Sequence, residues 1–349
     1  MRYLRVSQES AVIMAFAGKS VFGTVGLCFA LLAGPVSAEG FAALSPADQA
    51  AAMHRGVNVL EDDPVQKNPS AARFQPRLFA RIREAGFDTV RLDMHPFAHL
   101  RDGAIDGAWL SMLDRMINAS LDAGLTVILD VHDDLSCQES AADCRTKLRA
   151  VWSVLAPRYR SAPNRLLFEI LNEPHGVLDA ATWNGMLREM LTSIRATNPA
   201  RNVVIGPTDY DGLWELGTLD LPASDRHIVV TVHTYTPVTF TLQGARWVPS
   251  AKDLSNVSWG SDAEMAALVK AFDRVKTWSD VHQRPVFLGE FGVYEKAPMD
   301  SRVRWLSSVA RVAEAHGIPW CYWQFDTDFA VYDIPHDRWI APVLKALVP

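Results

Sequence analysis

Two glutamates stand out in this sequence because each lies where an apolar run ends. Glu173 follows the run at 166–171 within Asn172-Glu173-Pro174, and Glu290 ends the run at 286–290. Two opposed carboxyl groups suit the cleavage of a glycosidic bond, since one can protonate the leaving oxygen while the other attacks the anomeric carbon. A spacing of about 5 Å gives retention of configuration, and about 6.5 to 9.5 Å gives inversion. The sequence does not fix this distance.

Further residues of the kinds that bind or orient a polar substrate lie at the ends of the apolar runs. They are Arg91, His132, Asn172, His233, Tyr235 and Trp323. Taken singly, a histidine or arginine at such a position is better explained by a structural hydrogen bond. Burying two carboxylates, an arginine and two histidines together, however, is costly unless they are paired or functional. We therefore predict that these residues share one site.

The apolar, β-branched runs alternate with helical patterns, which is typical of a parallel α/β fold. Strands are predicted at 56–59, 89–92, 126–131, 166–171, 203–206, 228–233, 286–290 and 320–323. Helices are predicted at 77–85, 109–123, 182–196, 262–279 and 302–316. Eight such units over about 250 to 300 residues favour a closed (β/α)8 TIM barrel, a single domain at 39–349.

An open doubly wound sheet is the alternative fold. It usually has a glycine-rich phosphate turn after its first strand, where this chain has Leu60-Glu61-Asp62-Asp63-Pro64. In a closed barrel the fourth and seventh strands lie on opposite sides of the mouth, and catalytic groups lie at the C-terminal ends of the strands. Glu173 and Glu290 can then face each other across a cleft.

The residues at the strand ends resemble those of glycoside hydrolase family 5, the cellulase family. The resemblance covers residues 55–347. It rests on Leu171-Asn172-Glu173-Pro174, His233-Thr234-Tyr235 and Leu288-Gly289-Glu290-Phe291-Gly292, with Arg91, His132 and Trp323 in the same order. Asn-Glu-Pro alone is shared by a wider clan of retaining glycosidases, whereas the full set is specific.

The resemblance implies roles for the two carboxyl groups and their neighbours. Glu173 would be the acid/base, with a pKa raised enough to hold a proton when substrate arrives. Glu290 would be the nucleophile, kept ionised by Arg91. Asn172 would hydrogen-bond the sugar 2-hydroxyl, and Tyr235 would hydrogen-bond the nucleophile.

The remaining residues of the set would hold the sugar. His132 and His233 would orient the sugar and the carboxylates, and Trp323 would form the floor beneath the ring at the cleaved bond. The resemblance implies no cofactor and no metal in catalysis.

The longest irregular stretch, 235–260, is rich in Trp, Thr and Pro and is predicted to be a binding loop or a surface insertion. Its beginning, 233–248, resembles the loop of bacterial endo-β-1,4-glucanases of the family, where an aromatic residue helps to line the cleft. Trp247 and Trp259 are therefore candidates for stacking on neighbouring glucose rings. Packing within the loop explains both residues equally well.

The chain departs from the family pattern after Arg91, where Asp93 and His95 stand in place of the proline and aromatic residues of many members. The far side of the cleft is therefore expected to differ. His95 and His99 are also spaced like a helical metal pair, but Pro96 lies between them and no third ligand is evident. We expect no metal there.

Composition excludes some classes of function. The net charge is −6 and no cluster of Lys and Arg is visible, which argues against nucleic acid as a partner. Eleven tryptophans suit a site that stacks on sugar rings. In an exported protein the spacing of Cys137 and Cys144 predicts a disulfide, and Cys321 is predicted to be a buried thiol. A zinc site at the cysteine pair is the alternative, without a second pair nearby.

Residues 1–38 are predicted to be an export signal. Arg2, Arg5 and Lys19 precede or flank an uncharged apolar run at 21–36, and Val36-Ser37-Ala38 offers a cleavage pattern. A membrane anchor is the alternative, but the run is short and contains glycines. We expect a secreted or periplasmic monomer that does not bind a membrane after the signal is removed.

These observations together predict a secreted, retaining endo-β-1,4-glucanase that acts on a β-linked glucan. A mannanase, xyloglucanase, mixed-linkage glucanase or β-1,3-glucanase on the same scaffold is the nearest alternative. A carbohydrate-binding barrel without activity is disfavoured, because binding does not require opposed carboxylates. A zinc-dependent barrel hydrolase is a further alternative, and it predicts loss of activity with a chelator.

Overall fold

The computed structural model describes residues 40–349, and the predicted export signal at 1–38 lies outside them. Within the described residues, eight parallel strands close into a barrel in which each strand pairs with the next along the chain and the last pairs with the first. The strands are β1 (Arg55–Val59), β2 (Thr89–Met94), β3 (Thr126–Val131), β4 (Leu166–Glu169), β5 (Val203–Ile205), β6 (Ile228–Thr234), β7 (Val286–Phe291) and β8 (Trp320–Tyr322). The predicted (β/α)8 barrel is confirmed.

The longer helices of residues 40–349 alternate with these strands. They are α1 (Pro46–Met53), α2 (Leu78–Glu84), α3 (Gly107–Asp122), α4 (Ala141–Arg158), α5 (Ala180–Arg195), α6 (Asp262–His282), α7 (Met299–Ala315) and α8 (Ala341–Leu347). Side-chain caps begin several of them: Asp106 accepts from the N–H of Trp109, and Ser261 and Glu264 form a capping box at α6. None of the helices in this part of the chain is both long and apolar enough to cross a bilayer.

The predicted helices agree with α2, α3, α5, α6 and α7 to within a few residues. Helices α1 and α8 were not predicted, and neither was the long helix α4. Its apolar positions form a weak stripe and Pro157 lies inside it, although Ser140 caps its first turn by accepting from the N–H of Asp143. Between β5 and β6 the chain forms a four-residue turn, Thr208–Asp211, and a 3-10 helix, Leu213–Thr218.

The barrel interior has two contrasting layers. The lower layer is a cluster of fully buried apolar side chains, namely Met53, Ile128, Leu167, Val204, Val229, Phe287 and Cys321. Because side chains alternate along a strand, residues two positions further on face the same interior. Asp130, Glu169 and Thr231, two positions after Ile128, Leu167 and Val229, are polar and buried. Together with Asn58, Arg91, Asp93 and Glu290 they form the charged layer.

The cysteines are placed as predicted. Cys137 and Cys144 form a disulfide, and Cys321 is a buried free thiol. The lower layer packs closely at Cys321, since a Cβ added to Gly56 would lie 2.2 Å from its Sγ atom. The glycine in β1 is therefore required by this close approach.

Candidate active site

The structure brings the predicted set of polar and aromatic residues together at the C-terminal ends of the barrel strands. Arg91 lies in β2, His233 in β6 and Glu290 in β7. The others follow strands directly: His132 after β3, Asn172 and Glu173 after β4, Tyr235 after β6 and Trp323 after β8. All of them are buried except Glu173 and Tyr235, which are partly exposed.

Glu173 and Glu290 approach each other across the barrel mouth. One carboxylate oxygen of each, together with a ring nitrogen of His233, forms a group whose atoms all lie within 4.8 Å of one another. His233 Nδ1 is 2.8 Å from Oε1 of Glu173, and the hydroxyl of Tyr235 donates to Oε2 of Glu290 at 2.8 Å. The two carboxyl groups therefore face the same small volume with different partners.

The surroundings of the two carboxyl groups assign the proton to Glu173. Burial and the nearby carboxylates of Glu290, Asp134 and Asp211 raise the pKa of Glu173 well above its ordinary value. Burial also raises the pKa of Glu290, to about 7, but Arg91 and the Tyr235 hydroxyl oppose this shift. Because both oxygens of Glu290 accept hydrogen bonds, Glu290 ionises first and Glu173 keeps its proton.

Arg91 is the centre of the charged layer. Its fully buried guanidinium donates to Glu290 Oε1 at 2.8 Å, to both oxygens of Glu169 at 2.8 and 2.9 Å, and to Asn172 Oδ1 at 2.7 Å. Burial would lower the pKa of Arg91, but Asp130, Glu169 and Glu290 raise it well above its ordinary value. One permanent cation thus holds the predicted nucleophile and orients Asn172.

His132 lies against Trp323 on the floor of the site. The two rings stack with 5.4 Å between centroids and 14° between planes. Asp130 contacts Nδ1 of His132 at 2.7 Å, and burial lowers the pKa of His132 well below its ordinary value. The amide of Asn172 lies 3.3 Å from Nε2 of the same ring. His132 is therefore neutral and fixed from both ring nitrogens.

Ionisable side chains line the side of the mouth near β1 and β2, where the sequence departs from the family pattern. Glu61 is partly exposed, its Oε1 is 3.9 Å from Nε2 of His132, and burial and nearby acids raise its pKa to about 8. His95 lies 3.7 Å from Asp133, and although burial would lower its pKa, Asp133 raises it. This side of the mouth is therefore a rim of ionisable side chains.

The two candidate tryptophans of the loop have different environments. Trp247 is 56% exposed, and its ring meets Tyr294 edge-on at 5.0 Å, next to a cluster formed by Ala245, Tyr294, Trp323 and Phe329. Trp259 is 3% exposed and belongs to the main hydrophobic core. Its ring has no open face for a sugar, so the candidate role for Trp259 was wrong and packing explains it.

Several residues of the site were missed by the sequence analysis. Asn58, Asp93, Asp130 and Glu169 lie within strands, and all four are buried close to Arg91. The available signal was a charged or amide side chain inside an otherwise apolar run, as in Leu166-Leu-Phe-Glu169. A buried polar residue of this kind requires a partner.

The loops after β4 and β5 hold further residues beside Glu173. His175 and Tyr210 stack with 4.2 Å between ring centroids, and Tyr210 is 51% exposed. Glu173, Asp209, Tyr210 and Asp211 have positive φ angles of 42°, 57°, 62° and 52°. Each such residue costs about 1–2 kcal/mol relative to the right-handed region. Strain of this size is concentrated around Glu173, the predicted acid/base.

Within residues 40–349, three groups of acidic and histidine side chains have ligand atoms close enough for a metal ion. They are Asp93, Asp130 and His132; Glu169, Asp211 and His233; and Glu173, His233 and Glu290. Arg91 contacts at least one carboxylate in each group. It thereby supplies the positive charge that a metal would bring. His95 and His99 have separate partners, since His95 packs against His132 and His99 stacks on Trp109.

Solved structures share this architecture over most of the chain. Endoglucanase Cel5A of the hyperthermophile Thermotoga maritima is 32% identical with a TM-score of 0.83, covering 87% of this chain and 100% of that one. The cellulose synthase subunit Z of Clostridioides difficile is 32% identical with a TM-score of 0.80, covering 85% of this chain and 100% of that one.

Two curated relatives are similar in sequence over most of this chain. Endoglucanase H of Acetivibrio thermocellus is 30% identical over 278 residues, which cover 77% of this chain and 30% of that protein. The cellulase/esterase CelE of the same organism is 29% identical, covering 75% of this chain and 34% of that protein. The chain thus spans about a third of the length of these two relatives. The family model described as cellulase (glycosyl hydrolase family 5) matches residues 66–328, well over half of the sequence, and the chain therefore belongs to glycoside hydrolase family 5.

Proposed function

We propose that this protein is a secreted, retaining endo-β-1,4-glucanase with Glu173 as acid/base and Glu290 as nucleophile. The observation that carries the proposal is the short approach of the two carboxyl groups, with oxygen atoms within 4.8 Å of each other, combined with their unequal surroundings. This separation leaves little room for a water molecule between sugar and base, and it fits the shorter spacing of retaining enzymes, about 5–5.5 Å.

In the first step Glu290 attacks the anomeric carbon of the sugar above Trp323. The bond from that carbon to the leaving oxygen breaks while Glu173 transfers its proton to the same oxygen. The hydrogen bonds from Arg91 and Tyr235 hold Glu290 with one oxygen on each donor. The product of this step is a sugar covalently bound to Glu290, and Glu173 is ionised.

In the second step the ionised Glu173 removes a proton from a water molecule. The water oxygen attacks the anomeric carbon and the bond to Glu290 breaks, which restores both carboxyl groups to their starting states. Asn172 is oriented by Arg91 through its Oδ1 atom, and its amide group, which donates to Asp134 Oδ1 at 3.1 Å, would exchange that hydrogen bond for one to the 2-hydroxyl of the sugar. Two displacements at one carbon give net retention.

Replacement of each glutamate tests the assignment. Glu173→Gln is expected to lower kcat on carboxymethylcellulose by about 10²–10⁴-fold, because the amide cannot transfer a proton. Glu290→Gln is expected to abolish turnover. Glu84→Gln, an exposed glutamate on α2, is the matched control and should keep wild-type activity. Wild-type rates in either site variant would end the mechanistic claim.

Product stereochemistry tests the mechanism independently. Hydrolysis of a cello-oligosaccharide followed by NMR should give the β-anomer first, with the α-anomer rising only by mutarotation. Immediate formation of the α-anomer would establish inversion and require a water molecule between the sugar and the base.

A β-mannanase is the second candidate, because the similar Cel5A of Thermotoga maritima was solved in complex with mannotriose as well as with cellobiose. Rates on carboxymethylcellulose, β-mannan, xyloglucan and mixed-linkage glucan separate the candidates. The glucanase proposal predicts the highest kcat/KM on β-1,4-linked glucose, and a higher value on mannan would replace it.

Secretion is supported by the positive residues and apolar run of residues 1–38 and by the disulfide between Cys137 and Cys144, which is typical of exported proteins. Expression of the full chain in a bacterium followed by N-terminal sequencing of the exported product should place the new terminus at Glu39. Retention of residues 1–38 on an active cytoplasmic product would contradict export.

A further inference from the structure

Asp211 is a fully buried acidic residue in the loop after β5, and none of the roles described above uses it. Its Oδ2 atom accepts a hydrogen bond from the backbone N–H of Glu173 at 3.0 Å and lies 3.7 Å from Nε2 of His233. Its Oδ1 atom lies over Gly206, where an added Cβ would be only 1.8 Å away. The side chain therefore reaches from the β5 loop to the backbone of the acid/base.

The backbone on both sides of this contact is in an unusual conformation. Glu173 has a φ of 42°, and Asp211 ends a run of three consecutive residues with positive φ that begins at Asp209. Such residues persist only where their surroundings hold them. The hydrogen bond from Glu173 to Asp211 joins the two segments, and Gly206, whose carbonyl accepts from Trp183 at 2.9 Å, leaves the space that Asp211 occupies.

We propose that Asp211 is a positioning residue for proton transfer by Glu173. Asp211 holds the backbone of Glu173, and His233 holds its carboxyl group through Nδ1 at 2.8 Å. Glu290 is held separately, by Arg91 and Tyr235. Loss of Asp211 should therefore impair the steps in which Glu173 gives or takes a proton and spare the attack by Glu290. This inference rests on the proposed glycosidase function.

The test uses two substrates that differ in their need for an acid. Cellotetraose has an alcohol as leaving group and requires protonation by Glu173, whereas 2,4-dinitrophenyl β-cellobioside releases a stable phenolate without a proton. Because kcat/KM reports the first irreversible step, it isolates glycosylation for each substrate. The second step still needs Glu173 as base, and azide replaces water there without needing a base.

Asp211→Ala removes the acceptor. Its kcat/KM on cellotetraose is expected to fall about 100-fold, the size of effect that a misplacement of about 1 Å produces. On the dinitrophenyl substrate kcat/KM should stay within about threefold of wild type, while kcat falls and is restored by azide. Gly206→Ala displaces the same carboxyl group without removing it and should give the same selective loss.

Asp211→Asn keeps the volume and tolerates the left-handed backbone, and it retains an acceptor oxygen without a negative charge. We expect a selective loss of about tenfold on cellotetraose, since a hydrogen bond to a neutral acceptor is weaker. Asp209→Asn makes the same chemical change two residues away at an exposed position of the same turn, and should match wild type on both substrates.

Thermal unfolding of every variant identifies those that are folded. If the two alanine variants cannot be produced as folded protein, the comparison of Asp211→Asn with wild type provides the test. Equal losses on both substrates in the folded variants, or no loss on cellotetraose, would overturn the role of Asp211. Wild-type protein that cleaves neither substrate would instead overturn the proposed function.

Discussion

Two layers of the same barrel interior, two residues apart along the strands, are built in opposite ways. The lower layer consists of fully buried apolar side chains that require no polar partner. In the charged layer a single guanidinium, that of Arg91, contacts Asp93, Asp130, Glu169 and Glu290. The lower layer therefore stabilises the barrel, whereas the charged layer gives up stability to hold Glu290 and the polar residues around it in fixed positions.

The charged layer is not optimised for stability. Four acidic residues surround one arginine, and Asp93 Oδ2 and Asp130 Oδ1 are buried without a hydrogen-bond partner. Burial raises the pKa of Asp130 and of Glu169 to about 7 in spite of the opposing charge of Arg91. Replacing such a network by apolar residues is often neutral or stabilising, so its presence at the mouth is explained by function.

Substitution of Arg91 should have the largest effect. Arg91→Met is expected to destabilise the protein by about 3–5 kcal/mol, because it leaves buried carboxylates without their cation. It should also lower kcat by about 1,000-fold or more, since Glu290 loses an electrostatic partner and Asn172 its orientation. Urea unfolding and kcat on carboxymethylcellulose measure the two effects.

A second buried arginine provides the matched control. Arg201 lies just before β5 at the opposite end of the barrel, and it donates mainly to backbone carbonyls such as those of Leu166 and Tyr159. Arg201→Met should lose stability as well, yet the folded fraction should keep the wild-type kcat. Equal losses of kcat in both variants would mean that Arg91 acts only through stability.

The sequence predicted the barrel well because its strands are β-branched runs of the right length between helical patterns. It also predicted that Glu173 and Glu290 lie together, since each stands where such a run ends, and their carboxyl groups do approach each other. It did not find Asp130 or Glu169. Strands of a parallel barrel are buried on both faces, so alternation alone does not tell which side chains point inward. Their partners depend on the register across several strands.

The solvent exposure of individual side chains was the second property that could not be predicted from the sequence. Trp247 and Trp259 lie in the same irregular stretch of sequence, yet one is 56% exposed and the other 3%. Trp259 is buried because the chain returns against α7, where its backbone N–H donates to Ser301 Oγ. Asp211 was missed for a similar reason, since its partner Glu173 is 38 residues away.

The next largest effect is expected on the pH dependence of stability, which should differ between the charged layer and the lower layer. Asp130 has an ordinary pKa of 3.8 in the unfolded chain and about 7 in the folded one, so the native state binds more protons between these values. Stability is therefore greatest below about pH 4 for this group and falls as pH rises towards 7, by up to about 1.4 kcal/mol per pH unit. Urea unfolding at pH 5 and pH 7 measures the difference.

Asp130→Asn should reduce this dependence without abolishing it, because its amide does not titrate whereas the pKa values of Glu169 and Glu290 are also raised to about 7. Phe287→Leu in the lower layer should leave the slope unchanged. A slope as steep in Asp130→Asn as in the wild type would locate the titration entirely elsewhere in the charged layer.

A substitution in the irregular stretch 235–260 should have a smaller effect, confined to substrate binding. Trp247→Ala is expected to raise KM for cellopentaose about five- to tenfold, if its exposed ring stacks on a sugar, with little change in melting temperature. Trp214 is 55% exposed and lies under Arg274 on the outer surface, so Trp214→Ala is a control of matched exposure. An unchanged KM in Trp247→Ala would assign this ring to loop packing.

The smallest effect on activity is expected in the lower layer itself. Phe287→Leu should cost about 1–2 kcal/mol through lost packing, with kcat unchanged. The test is strict because Phe287 lies in β7, only three residues before Glu290. Between them, Gly289 packs against Thr231 and His233, and Glu290 is fixed by Arg91 in β2 and by Tyr235 directly after β6. If the position of Glu290 depends on those cross-strand contacts, loosening the layer beneath should lower only the urea midpoint. A parallel loss of kcat would mean that the lower layer also positions Glu290, and that the two layers act as one unit.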